Sequence, residues 1–203
     1  MNPAPKIQHL TLPRAMAALV AVSVGLVLQA SVFSHFAVQG VVPDLVLLVV
    51  VAAGLAYGSE LGLVLGFGAG LLLDLAPPAD HYAGRWALAL MAVGYVAGRL
   101  AASGSPRVTQ WLPVAAAASF IGTSMFALTG LLLRDPAVGV GELLRVEVVA
   151  LCWDVALALV VVPLTLGLFA KVEPDRVLAF PPRKRVERAL RAEATLSRGP
   201  QDK

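Results

Sequence analysis

Predominantly apolar blocks follow one another along the chain up to about residue 171, separated by short breaks that carry most of the charges, prolines and small polar residues. A helix needs about 20 apolar residues to cross a hydrocarbon core about 30 Å thick, since each residue rises 1.5 Å. The pattern therefore predicts an all-α, polytopic membrane protein with about six transmembrane helices in residues 1–171. The predicted spans are 15–37, 45–57, 61–73, 86–102, 111–133 and 146–170.

The second and third blocks are shorter than a spanning helix prefers, because each has only thirteen uncharged residues. Asp44 directly precedes the second block, where a carboxylate suits the positive end of a helix dipole. Two interpretations follow: two short helices that cross the membrane, or a re-entrant hairpin that enters and leaves on one side. We favour crossing.

The composition supports a membrane protein. The 203 residues are 58% hydrophobic and only 14% charged, with a mean hydropathy of +0.80, whereas soluble domains are about one quarter charged. Lys6 and Arg14 precede the first block, and no small-residue cleavage site ends it, so we expect a retained first span. The single cysteine, Cys152, excludes an intramolecular disulfide, and we expect it to be a buried apolar side chain.

The distribution of basic residues predicts the orientation, because Lys and Arg concentrate on the cytoplasmic side. With six spans, one side receives Lys6, Arg14, Arg99, Arg107 and the nine basic residues between 171 and 203. The other side receives only Arg85, Arg134 and Arg145. We therefore expect both termini in the cytoplasm.

Residues 172–203 form a distinct basic cytoplasmic tail, which carries the whole net charge of +3. Its first basic cluster, Arg183, Lys184, Arg185 and Arg188, is a candidate contact for anionic lipid headgroups. The alternative is a solvated tail whose arginines only fix the topology. Nucleic-acid binding is not expected, because no aromatic residue follows Phe180 to stack on bases.

Glycines recur at helical spacing in the third and fourth blocks. Gly62, Gly66 and Gly70 lie four residues apart and are followed by Asp74; Gly94 and Gly98 repeat the spacing. Residues four apart share one helix face, and small residues let membrane helices approach closely. We predict a close helix contact on this face, either within the protein or with a helix of a partner.

The ionisable residues inside the blocks are the candidates for chemistry. Asp154 and Glu147 fall in the sixth block, and we expect them to be structural polar groups within the helix bundle. A proton-sharing pair of Asp74 and Asp154, as in an aspartyl protease, is disfavoured because one lies at a helix edge and the other near a helix centre. No histidine, cysteine or acid has the spacing of a metal site, so we expect no metal, no cofactor and no enzymatic activity.

Three stretches resemble MreD, the integral membrane protein family of the bacterial rod-shape system. Residues 43–48 (PDLVLL) resemble the opening of its second span, residues 66–75 (GFGAGLLLDL) its G-F-x-x-G-x-x-x-D-L signature, and residues 83–88 (AGRWAL) with 94–98 (GYVAG) its fourth span. The order of these three pieces and the chain length carry the resemblance across most of the chain.

The resemblance implies a non-catalytic scaffold of the cell-wall elongation machinery in the bacterial cytoplasmic membrane. Its implied partners are MreC and, through the machinery, the glycan polymerase RodA and a class B penicillin-binding protein, with effects on cell shape and peptidoglycan synthesis. It also implies a fold similar to the substrate-binding subunits of energy-coupling-factor vitamin transporters. That similarity supplies the alternative function, a small-molecule carrier subunit.

Overall fold

The computed structural model describes residues 11–76, 82–101, 108–133 and 140–172. The described residues form six α-helices and one short 3-10 helix, and none of them belongs to a β-strand. The helices are α1 (Leu12–Ser31), α2 (Leu45–Tyr57), α3 (Ser59–Leu75), α4 (Arg85–Ala101), α5 (Val108–Leu132) and α6 (Val140–Val172); the 3-10 helix is Phe33–Phe36. The predicted all-α class is confirmed. The basic tail, with Arg183, Lys184, Arg185 and Arg188, lies outside the described residues.

The helix order follows the prediction, but two boundaries differ from it by six residues. The first helix ends at Ser31 instead of residue 37, because the chain tightens into the 3-10 turn Phe33–Phe36. The last helix begins at Val140, six residues before the predicted start, and continues through Pro163. A single residue, Gly58, joins α2 to α3, and its φ of 87° is one that glycine adopts without strain.

Helix α2 is the centre of the bundle. Eleven of its thirteen residues are buried, and it contacts α1, α3, α4, α5 and α6. Its sequence, LVLLVVVAAGLAY, is apolar on every side, as expected for a helix enclosed by other helices. Because other helices surround it, α2 does not need the length of a helix that contacts lipid along both leaflets.

Three helices are long and apolar enough to cross a membrane: Leu12–Ser31, Trp111–Leu132 within α5, and Gly141–Val172 within α6. Their outer faces expose large apolar side chains such as Leu19, Leu128 and Leu164. The chain is therefore a helical membrane protein. Helices α2, α3 and α4, with 13, 17 and 17 residues, are shorter than a typical spanning helix.

The prediction of a buried Cys152 is wrong. Cys152 lies on the exposed side of α6, about half a turn from the inward-facing Ala150 and Asp154. A cysteine suits this outer face because it behaves as a small apolar side chain.

Candidate functional site

The predicted glycines form the contact between α3 and α4, here called the glycine seam (Gly62, Gly66, Gly70, Gly94 and Gly98). A methyl group added to Gly66 would overlap the carbonyl of Leu90, and one added to Gly70 would overlap the carbonyl of Trp86. The two backbones thus touch without intervening side chains, the arrangement that small residues permit between membrane helices.

The centre of the seam is a mutual glycine contact. A methyl group on Gly62 would overlap the Gly94 carbonyl, and one on Gly94 would overlap the Gly62 carbonyl. One on Gly98 would overlap the backbone at Ser59. Gly54 of α2 also belongs to this contact, since its added carbon would lie 2.7 Å from the Gly94 carbonyl oxygen. Of the two predicted alternatives, the structure places a helix of the same chain, α4, against the glycine face.

Asp74 caps the start of α4. Its Oδ2 accepts hydrogen bonds from the backbone N–H groups of Gly84 at 2.8 Å and Ala87 at 3.0 Å, and its Oδ1 accepts from Trp86 at 3.1 Å. The first N–H groups of a helix have no partner within the helix. Asp74, only 2% exposed, provides the hydrogen-bond acceptors at the end of the glycine seam. It therefore fixes where α4 begins relative to α3.

A second polar cluster surrounds the buried start of α2. The Asp44 carboxylate accepts from the Leu47 N–H at 2.9 Å, as a helix N-cap does. The Asp44 N–H donates to Asp154 Oδ1 of α6 at 2.9 Å, and the Val46 N–H donates to Gln29 Oε1 of α1 at 3.2 Å. The α2 N-cap and side chains of α1 and α6 therefore satisfy the first turn of α2.

Ser119 of α5 completes this cluster, because its hydroxyl donates to Asp154 Oδ2 at 2.6 Å. Asp154, 1% exposed, thus accepts one hydrogen bond on each oxygen. Glu147, about two turns earlier on α6, is partly buried, and its Oε1 has no hydrogen-bond partner among the described residues. The cluster joins α1, α2, α5 and α6 through polar contacts that lipid cannot provide.

Arg85, at the first position of α4, is held against α5. Its guanidinium donates to the Phe126 carbonyl at 2.8 Å and lies 3.9 Å from the centre of the Phe126 ring. Trp86 stacks on the same ring at 4.5 Å. A methyl group on Gly130 would overlap the guanidinium, so Gly130 leaves the space that it occupies.

The structure brings Asp74 to the α3–α4 seam and Asp154 to the start of α2, so the two acids serve different helices.

Sequence analysis missed four contributors, namely Gln29, Gly54, Arg85 and Ser119. The sequence offered a reason to consider Arg85, because a charge next to an apolar block is either an interfacial residue or a buried one. A single serine or glutamine among apolar residues offers no comparable pattern from which its role could be predicted. Within the described ranges, no group of three histidine, cysteine or acidic residues could hold a metal ion.

Comparisons of the chain with protein-family models, with curated proteins and with solved structures find no match.

Proposed function

We propose that the chain is a non-catalytic membrane scaffold of the bacterial cell-wall elongation machinery, which binds MreC and thereby influences cell shape and peptidoglycan synthesis. The proposal rests on the resemblance of residues 43–48, 66–75 and 83–98 to the MreD family. In it, six helices cross the cytoplasmic membrane with both termini inside, RodA and a class B penicillin-binding protein are further partners, and the protein has no catalytic role.

One observation supports a scaffold more than any other: the polar and glycine residues of these stretches are used to build the helix bundle. Asp44 caps α2, and Asp74 accepts three backbone N–H groups at the start of α4. Gly66 and Gly70 allow α4 to contact α3. Residues devoted to capping and packing suit a protein that presents a rigid surface to partners.

The glycine seam also limits where MreC can bind. Because α4 occupies the glycine face of α3, a helix of MreC must use an outer face instead. Such a face exists on α3 itself, where Val64 and Leu72 are exposed and Gly68 has open space above it.

Co-purification tests this function. The tagged full-length chain is expressed with the MreC encoded in the same genome, extracted in mild detergent and recovered by its tag, with an unrelated six-helix membrane protein carrying the same tag as the control. We expect MreC with this chain only, and rounded cells after depletion. Recovery of a pair of transporter ATPases in place of MreC, with unchanged cell shape, would instead support the carrier subunit.

A further inference from the structure

A groove of about 360 Å³ lies between α3, α4 and α5, where α3 and α5 end and α4 begins. Its walls include Phe67 and Leu71 of α3, Arg85 and Leu88 of α4, and Leu132 and Leu133 of α5. The volume falls in the range of sites that hold small ligands. Most of the lining is apolar, and Arg85 is the charged member of it.

The charge in this groove is held in place. Arg85 is only 6% exposed, and its guanidinium is fixed by the Phe126 ring and carbonyl and by the space over Gly130. Thr129, the other polar side chain in the wall, directs its hydroxyl to the carbonyls of Met125 and Phe126. The groove therefore combines an apolar wall with one positioned cation.

We propose that this groove binds an anionic phospholipid, with an acyl chain along the apolar wall and the phosphate beside Arg85. The argument is charge complementarity at a suitable depth. Arg85 begins α4 and lies level with the end of α3, which is where helices of a membrane bundle meet the headgroup region. Arginine binds phosphate through charge-assisted hydrogen bonds, which an apolar partner helix or a second copy of this apolar surface cannot supply.

The first test compares two lipids that differ in headgroup charge. The purified full-length chain in detergent is titrated with phosphatidylglycerol or phosphatidylcholine of the same acyl chains, and bound lipid is counted by native mass spectrometry. The titration is repeated after incubation in roughly 1 M salt, which screens exposed charges such as those of the tail beyond about 3 Å. We expect phosphatidylglycerol to bind about tenfold more tightly than phosphatidylcholine, because both carry the phosphate but the choline cation of phosphatidylcholine offsets its charge beside Arg85.

Arg85→Gln should abolish this preference, while Arg85→Lys should keep part of it. If neither variant changes the preference, or if wild type shows none, the proposal is wrong. A preference that disappears in high salt but survives Arg85→Gln belongs to the tail, and also overturns it.

The second test fills the groove without touching the arginine. Leu88 lines the groove and Leu100 does not, although both lie on α4 and are 45% exposed. Leu88→Trp should remove the tightly bound phosphatidylglycerol, and Leu100→Trp should leave it in place. If Leu88→Trp retains the lipid but reduces self-association or MreC recovery, the groove binds a helix and not a lipid. These outcomes do not depend on the scaffold function, because lipid binding is measured with the isolated protein.

Discussion

At the residue scale, single carboxylates accept hydrogen bonds from the first backbone N–H groups of α2 and α4. Helix α2 begins inside the bundle, where water cannot satisfy its first N–H groups, and α4 begins beside the buried Asp74; each unsatisfied N–H group would cost several kcal/mol. Asp74 and the Asp44–Asp154 pair supply the missing acceptors. The two sites differ in what the second carboxylate oxygen accepts, and this difference makes their asparagine variants informative.

Asp154→Asn is expected to be tolerated. The amide oxygen can still accept from the Asp44 N–H, and the amide nitrogen can donate to the Ser119 hydroxyl, which is able to accept as well as donate. Asp154→Leu leaves the Asp44 N–H without an acceptor and should lower the free energy of unfolding by about 1–3 kcal/mol. Thermal denaturation in detergent and the amount of protein in membranes measure both effects. Loss of function in Asp154→Asn at a normal protein level would contradict the scaffold, because it would indicate a role for the ionisable group itself.

Asp74→Asn should be harmful, in contrast. Both oxygens of Asp74 accept backbone N–H groups, so an amide nitrogen must face a donor whichever way the side chain turns. We expect a loss of about 1–3 kcal/mol in stability, comparable to Asp154→Leu. The same melting experiment checks it. Equal stability of Asp74→Asn and wild type would show that the cap of α4 is not needed.

At the element scale, the α3–α4 pair shows what spacing alone predicts. The interval of four between Gly62, Gly66 and Gly70 predicted a close helix contact, and the added-methyl overlaps lie on this face. Spacing could not identify the opposing helix, because a glycine face carries no side chain that selects a partner. Gly54 was missed for a related reason, since it lies on a different helix and is brought to the seam only by the turn at Gly58.

A matched pair of glycines tests the seam. Gly66 and Gly68 lie on the same helix, but a methyl group would overlap the Leu90 carbonyl at Gly66 and meets nothing within 4 Å at Gly68. Gly66→Ala should therefore destabilise the protein by about 1–3 kcal/mol through overpacking. Gly68→Ala should be neutral or stabilise it by about 0.5–1 kcal/mol, because alanine is the better helix former. Leucine at Gly66 or Gly70 should be worse than at the exposed Val64. Equal melting temperatures for the two alanine variants would contradict the observed seam.

The polar cluster at the start of α2 was harder to predict from the sequence than the glycine seam. Asp44 could be placed at a helix start from its position before an apolar block. Its contact with Asp154 joins residues 110 positions apart, and no local pattern predicts such a pair. The roles of Gln29 and Ser119 likewise depend on how α1 and α5 pack around α2, which is fixed by the whole bundle.

At the scale of the whole molecule, the length of a helix is linked to whether other helices enclose it. The long helices α1, α5 and α6 expose large apolar side chains, whereas eleven of the thirteen residues of α2 are buried by its neighbours. The short second block, which was ambiguous between a spanning helix and a hairpin, is thus a central packing element. A helix start inside the bundle is possible only because Asp44, Gln29 and Asp154 satisfy it.

The orientation of the bundle gives the last prediction. If all six helices cross the membrane with the N-terminus inside, residue 138 lies between α5 and α6 on the outer side, and residue 190 lies in the tail on the inner side. Both positions fall outside the described residues, so the expectation rests on the distribution of basic residues.

Val138→Cys and Leu190→Cys are introduced separately into a Cys152→Ser background, because Cys152 is exposed on α6 and could react itself. A membrane-impermeant maleimide should modify position 138 in intact cells and position 190 only after permeabilisation, with the Cys152→Ser protein as the unlabelled control. Labelling of position 190 in intact cells would place the basic tail outside and would overturn the predicted topology.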